Sequence, residues 1–296
     1  MKLELKDLYK SFGEHQVLNG ISLTAESGAA VGLLGRNGAG KTTTIRILMN
    51  VFPADSGEIL LDGRPIDHKA VKIGYLPEER GLYPKKIIAD QLLYFAELKG
   101  MRRADARASI DYWLERLGMS KYRNKRLDAL SKGNQQKIQL VTALAHDPDI
   151  LILDEPFSGL DPVNAELLKD VVRDQMKKGK IILFSSHQMN YIEEFCSEIA
   201  ILNGGHIVLS GNLREIRRRM AGNELLVRSA MQKEILEFYG DRASLTEDGA
   251  IRITLNDAGD RRREMQLLTA KWDVNEVRIF EPSLNDIFVQ NTRDQI

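Results

Sequence analysis

Residues 29–50 read AAVGLLGRNGAGKTTTIRILMN. The first seven, AAVGLLG, are an unbroken small and apolar run, as a strand buried on both faces requires. The last nine, TTTIRILMN, place apolar residues at helical spacing. Between them GRNGAGKT (35–42) fits G-x-x-x-x-G-K-[ST], in the strand–loop–helix context that gives the pattern its meaning. Gly35, Gly38 and Gly40 let backbone N–H groups turn inward around phosphate oxygens. Lys41 reaches β and γ phosphates, and Thr42 offers its hydroxyl to magnesium. Arg36, Asn37, Ala39 and Thr43 complete this nucleotide-binding stretch, so ATP and Mg2+ are the expected ligands.

Outward from this loop, short apolar runs alternate with helical patterns over the first ~210 residues, which predicts an α/β core. LELKDL and VLNGISLTA read as edge strands near the start, and GEILLDG as a strand between turn glycines. From Ile88 to about Leu117 the pattern is helical, with Leu92, Leu93, Phe95, Leu98, Ile110, Trp113 and Leu117 on the apolar face. A helix starting at Ser131, strand DILILD, helix AELLKDVVRDQM, strand KIILFSS, helix MNYIEEF and strand EIAILNGG follow. A boundary falls near GNLREIRRRMAGN (211–223). The tail then reads strand, helix, strand, strand, helix, strand and a short helix SLNDIF, a ferredoxin-like order. Its arginine runs, Arg217–Arg219 and Arg261–Arg263, read as solvated helix faces.

DILILDEP (149–156) supplies a second chemical element. Ile150 to Leu153 form a buried strand, and two carboxylates follow at its C-terminal end, where open α/β sheets place ligands. Asp154 is suited to hold magnesium through water, and Glu155 to orient and polarise an attacking water. His187 ends the strand KIILFSS and can reach the γ phosphate beside Glu155. Phe12 in KSFG offers a stacking face for adenine, and an ordinary core phenylalanine fits the same position.

LSKGNQQK (130–137) resembles a second phosphate grip. Ser131 reads as the N-cap, Gly133 leaves the backbone bare, and Asn134, Gln135 and Gln136 are neutral donors with no acid in the first turn. The first grip lies upstream, so the chain carries two.

The chain has 296 residues with 42 Lys plus Arg against 42 Asp plus Glu, and this balance gives no global pull toward nucleic acid. A single cysteine, Cys196, excludes an intramolecular disulfide and reads as a small apolar filler. MKLELKDLYK alternates and carries charge, unlike a signal peptide. No apolar run approaches the ~18 residues of a membrane span, so work at a membrane requires another chain to hold this one there.

GRNGAGKT, LSKGNQQK, ILILDEP, SGLD (158–161) and SSH, in this order, resemble the ATP-binding subunits of ABC transporters, over about residues 1–220. The resemblance implies an α/β P-loop NTPase core of ABC ATPase type over 1–215, with a helical subdomain at about 85–145 and a small α+β domain over 223–296. In this family two copies sandwich two nucleotides head to tail. Ser131, Lys132, Gly133 and Asn134, with Asp161, would then meet the ATP held by the loop of a second copy. Two positions depart from the family pattern. The usual LSGGQ is LSKGN here, and Glu78 stands in IGYLPEERGLYP where a glutamine near magnesium is usual. PEERGLYP, the C-terminal extension and PSLNDIF look like ABC-2-type exporter ATPases of the sodium-extrusion type. That likeness implies integral-membrane permease subunits, whose cytoplasmic helix docks near Glu78 to Leu98, and a peripheral place on the cytoplasmic face of the membrane. An ABC ATPase working in translation or cofactor assembly without a membrane is the alternative. Translation-type relatives usually carry two nucleotide domains in one chain, and this chain has one phosphate loop. A non-hydrolysing switch is disfavoured because Glu155 and His187 are both present.

Overall fold

A computed structural model describes residues 1–79, 81–246 and 248–292. The chain divides into two compact units, the larger built on Met1–Gly211 and the smaller on Asn212–Val289.

The larger unit opens with β1 (Lys2–Phe12) and β2 (His15–Glu26), an antiparallel pair running from Lys2 opposite Glu26 to Phe12 opposite His15. Alternation buries one face: Leu3, Leu5, Leu8, Leu18, Ile21 and Leu23 point to the core. Next come β3 (Ala30–Gly35), α1 (Lys41–Leu48), β4 (Ser56–Leu61) and the short β5 (Arg64–Pro65). One sheet has the order β2-β1-β4-β5.

The second sheet is completed by β6 (Ile73–Leu76), then, after α2 (Ile88–Leu98), α3 (Arg103–Arg116) and α4 (Lys132–Leu144), by β7 (Ile150–Asp154). Past α5 (Pro162–Lys177) come β8 (Ile181–Ser185), α6 (Met189–Phe195), β9 (Cys196–Asn203) and β10 (His206–Asn212). Its order is β10-β9-β3-β8-β7-β6. The pairs of β3 with β8 and β9, of β7 with β8 and of β6 with β7 are parallel. β7 and β8 are buried at every residue, the physical reason for their continuous apolar sequences. Val31, Leu33, Ile150, Ile152, Ile181 and Leu183 share one core with the inner face of the antiparallel sheet and with Ile45 and Leu48 of α1.

Three readings of the sequence change here. Ile73–Leu76, not assigned as a strand from sequence, is a strand in register with β7, from Ile73 beside Ile150 to Leu76 beside Leu153. Four residues are too few to show a period. A Cβ on Gly74 would lie 2.3 Å from the Ala143 carbonyl oxygen, so this strand packs directly on the end of α4. The helical pattern after Ile88 breaks into α2 and α3 around Gly100, whose φ is +83°, and Leu98 ends α2 at 63 % exposure rather than in a core. HIVLSGN, unassigned from sequence, forms β10.

The smaller unit contains α7 (Leu213–Met220), β11 (Glu224–Ser229), α8 (Gln232–Tyr239), β12 (Ala243–Leu245), β13 (Ile251–Thr254), α9 (Arg261–Lys271) and β14 (Val274–Ile279). Its antiparallel sheet has the order β12-β13-β11-β14. Leu225, Val227, Ile235, Ile251, Ile253, Leu268 and Trp272 form its core. α10 (Leu284–Thr292) ends the described chain. Among the described residues no helix is long and apolar enough to cross a membrane.

Candidate functional site

The turn between β3 and α1 depends on Gly40. Its φ is +108°, and a Cβ there would lie 2.6 Å from Leu18 Cδ2, so a side chain fits neither the backbone nor the space. α1 has no side-chain cap and no acid in its first turn, which leaves the positive end of the helix for an anion. Lys41 folds back on the loop, its Nζ donating to the Gly35 oxygen at 2.6 Å and the Arg36 oxygen at 3.3 Å. Burial lowers the Lys41 pKa, and the charges of Asp154, Glu155 and Glu78 oppose that shift. Thr42 is exposed in the first turn, whereas the Thr44 hydroxyl donates to the Gly40 oxygen at 3.0 Å.

Asp154 closes β7 and is 7 % exposed. Burial raises its pKa, the charge of Glu78 raises it further, and Lys41 opposes both. The Tyr75 hydroxyl on β6 donates to Asp154 Oδ2 at 3.4 Å. Burial foremost, then the Asp154 charge, pushes the Tyr75 phenol up to about 12. Asp154, Glu78 and Lys41 therefore share one electrostatic neighbourhood, with Glu78 exposed just past the end of β6.

Glu155 turns the chain with φ +49°, a left-handed conformation that a non-glycine residue holds only when its surroundings impose it. Its N–H donates to the Ser185 oxygen at 2.8 Å. Its carboxylate Oε2 accepts from the Ser186 hydroxyl at 3.0 Å, and Oε1 accepts from the His187 N–H at 2.7 Å. His187 Nδ1 lies 2.8 Å from the same Oε1, while the imidazole as a whole stays exposed. The two strand ends thus bring together a carboxylate and a histidine 32 residues apart in the chain.

The first turn of α4 differs in detail from its sequence reading. Ser131 stands at the N-cap position, yet its side chain makes no cap hydrogen bond and is exposed. Gln135 and Gln136 serve their own chain. Gln135 Nε2 donates to the Leu130 oxygen at 2.9 Å and the Leu127 oxygen at 3.2 Å, and Gln136 Nε2 donates to the Pro156 oxygen. Lys132 is exposed, and Gly133 and Asn134 are half-buried, with no acid in the turn. Asp161 caps α5, accepting from the Asn164 N–H at 3.0 Å. Phe12 is half exposed at the β1–β2 hairpin and meets Phe52 edge to face at 5.4 Å, which makes it a surface ring rather than a core one. Cys196 is buried, and its thiol pKa is raised by burial.

A family model described as "ABC transporter" matches residues 18–158, and one described as "ATP-binding protein DrrA1-3-like, C-terminal domain" matches residues 211–292. The ABC transporter ATP-binding protein YhaQ of Bacillus subtilis (strain 168) is 42 % identical over 291 residues, 97 % of each chain. The chain belongs to the ABC transporter ATP-binding family. This cassette is also similar, at 32 % identity over 83 % of this chain and 79 % of the relative, to a Nod factor export ATP-binding protein I of Burkholderia lata. A solved ATP-binding subunit of an ABC transporter superposes with a TM-score of 0.68 at 30 % identity, over 74 % of this cassette and 93 % of that chain. The family binds and hydrolyses ATP, and its α/β fold is the one described above.

Two residues of the cassette that sequence reading gave no role stand out. Tyr75 touches Asp154 from a strand too short to recognise, and Ser186 holds the Glu155 carboxylate from within SSH. A serine beside a histidine at a strand end was the available signal for the second.

Proposed function

We propose that this chain is the ATP-hydrolysing subunit of an ABC-2-type exporter, working as a head-to-tail pair of copies and held by a membrane-spanning partner at the cytoplasmic face. The observation that carries the reading is two anion-ready helix starts against a single carboxylate–histidine pair. Among the described helices of eight residues or more, α1 with Lys41 and α4 with Ser131 alone begin without a side-chain cap or a first-turn acid, while Glu155 and His187 form a single pair. Two grips for one reaction centre fit a site completed by a second copy.

In this reading residues 35–43 cradle the triphosphate, and Phe12 stacks on adenine with its free face. Glu155 accepts a proton from the attacking water, and His187 bridges that carboxylate to the γ phosphate. Ser131, Lys132, Gly133, Asn134 and Asp161 approach the nucleotide of the other copy. The residues present fit magnesium. Asp154 is a buried carboxylate whose pKa burial raises, and Thr42 is an exposed hydroxyl at the loop. Mg2+ takes few protein ligands alongside phosphates and waters, so the lack of a three-residue metal cluster among the described residues suits it. When bound, the ion neutralises the charge developing on the phosphates. Glu78 is a further candidate ligand through its proximity in charge to Asp154.

The export reading is supported by the DrrA-like C-terminal match and by the similarity to a Nod factor export ATP-binding protein. Tyr83, Ile87, Tyr94 and Leu98 are exposed along and before α2, an apolar surface for a partner's cytoplasmic helix. The test is capture of the tagged chain from detergent-solubilised native membranes. An integral-membrane chain in stable complex, with ATPase activity abolished by Glu155→Gln in that complex, is the expected result. Recovery of the active chain with no membrane-spanning partner would favour an ABC ATPase working apart from membranes.

A further inference from the structure

The turn carrying Glu155 and the turn carrying His187 meet twice. One meeting is polar, between the Glu155 carboxylate and Ser186 and His187. The other is aromatic. Phe157, two residues past Glu155, stacks on Tyr191, four past His187, with ring centroids 3.9 Å apart and planes inclined by 22°. Phe157 is buried and is backed by Phe184 of β8 at 5.8 Å and Phe195 at the end of α6 at 5.9 Å. Above Tyr191, Lys169 of α5 places its Nζ 5.5 Å from the ring centroid. The same Nζ bridges Glu166 at 2.8 Å and Glu194 at 2.9 Å. Arg173, one turn on, pairs with Glu194 and covers Phe195 at 5.6 Å. α6 has only seven residues, too few to hold a helix without tertiary contacts. Its position, and with it that of the His187 turn immediately before it, depends on what it packs against.

Two features make the stack more than filling. Glu155 has a left-handed backbone, which persists only where neighbouring structure over-determines it. The donors that aim its carboxylate come from the other turn, so a shift of α6 against Phe157 would re-aim Glu155 directly. We propose that Tyr191 is a positioning residue for hydrolysis: its ring, stacked on Phe157, fixes the register between the Glu155 and His187 turns and thereby the direction of the Glu155 carboxylate. This rests on Glu155 being the group that orients water. The ring carries the effect rather than the hydroxyl, which makes no hydrogen bond among the described residues.

The experiment compares Tyr191→Leu with Tyr191→Phe in the full chain. Leucine stays apolar but is smaller and loses the flat face, and since a misplacement of about 1 Å can cost roughly 10²-fold in rate, a smaller shift corresponds to about 10-fold. Tyr191→Leu is expected to lower kcat by about that factor, with KM and the Kd of ATP at the Lys41 loop changed by less than about 2-fold, and Tyr191→Phe to restore kcat. In a Glu155→Gln background, Tyr191→Leu should lower the residual single-turnover rate no further, because the two act as one unit. If Tyr191→Leu does not fold, Tyr191→Met is measured by the same criteria. Wild-type kcat in the Leu or Met variant, equal damage from Phe, or a further ~10-fold loss in the Gln background overturns the proposal. Near-normal turnover of Glu155→Gln alone would instead overturn the role given to Glu155, so the two failures are told apart.

Discussion

Replacing Glu155 with glutamine removes a charge and a proton acceptor while leaving nearly every contact in place. Oε1 is the oxygen that receives the His187 N–H at 2.7 Å and faces Nδ1 at 2.8 Å, and a glutamine carbonyl oxygen placed there keeps both partners. The new NH2 then faces the Ser186 hydroxyl, 3.0 Å away, which can rotate to accept. Ser186 Oγ already receives the Gln188 N–H at 3.0 Å and retains a second lone pair. The folding cost is therefore that of weakened charge-assisted hydrogen bonds, about 1 kcal/mol. The chemical cost is larger. A positioned general base contributes roughly 10²–10⁴-fold, about 3–5 kcal/mol of transition-state stabilisation, and an amide supplies none of it. Glu155→Gln should bind ATP as the parent does, melt within a few degrees of it and lose at least ~100-fold in kcat. Steady-state ATPase rates, nucleotide titration and a melting curve measure the three quantities. Turnover within about 5-fold of the parent would refute Glu155 as the base, and a large loss of ATP affinity would refute the contact-preserving geometry.

Ser131 is exposed and makes no cap bond, so Ser131→Arg should leave melting and monomer ATP binding nearly unchanged while abolishing turnover. An equal mixture with a Lys41→Ala chain should recover about a quarter of parental activity, since half the pairs are mixed and each holds one intact site; no recovery would refute the shared site. If Glu78 is a metal ligand, Glu78→Gln should raise the magnesium concentration for half-maximal ATPase, and Glu78→Ala raise it further. Identical magnesium titrations of all three chains would exclude metal contact. His146 is buried with its Nε2–H donating to the Ile73 oxygen at 3.2 Å, and burial depresses its pKa from 6.5 to about 4. With the folded-state pKa below the unfolded one, the associated stability is fully present above pH 6.5 and is lost as pH falls toward 4, about 3 kcal/mol in all. His146→Gln should flatten denaturant midpoints across that range, and an unchanged slope would assign the acid sensitivity to other groups.

Sequence alone determined what depends on local rules. An unbroken apolar run must be buried on both faces, so β3, β7 and β8 were legible as core strands. A glycine loop between strand and helix has few uses, so the turn from β3 through Gly40 into α1 was legible too. Asp154 and Glu155 followed from their place at a strand end. Tertiary structure decided whatever needs a partner distant in the chain. β6 has no recognisable period and is a strand because β7 pairs with it 77 residues later, on a surface where Gly74 admits the backbone of α4. Ser131 has the chemistry of a cap, but whether a side chain caps its own helix is settled by its rotamer and neighbours, and here it does not. The aim of the Glu155 carboxylate is likewise set by Ser186 and His187, 31 and 32 residues away, and the stack of Phe157 on Tyr191 joins those same turns. Periodicity and motif spacing report which residues an element presents; which of them meet is fixed only when parallel strands bring their C-terminal ends side by side.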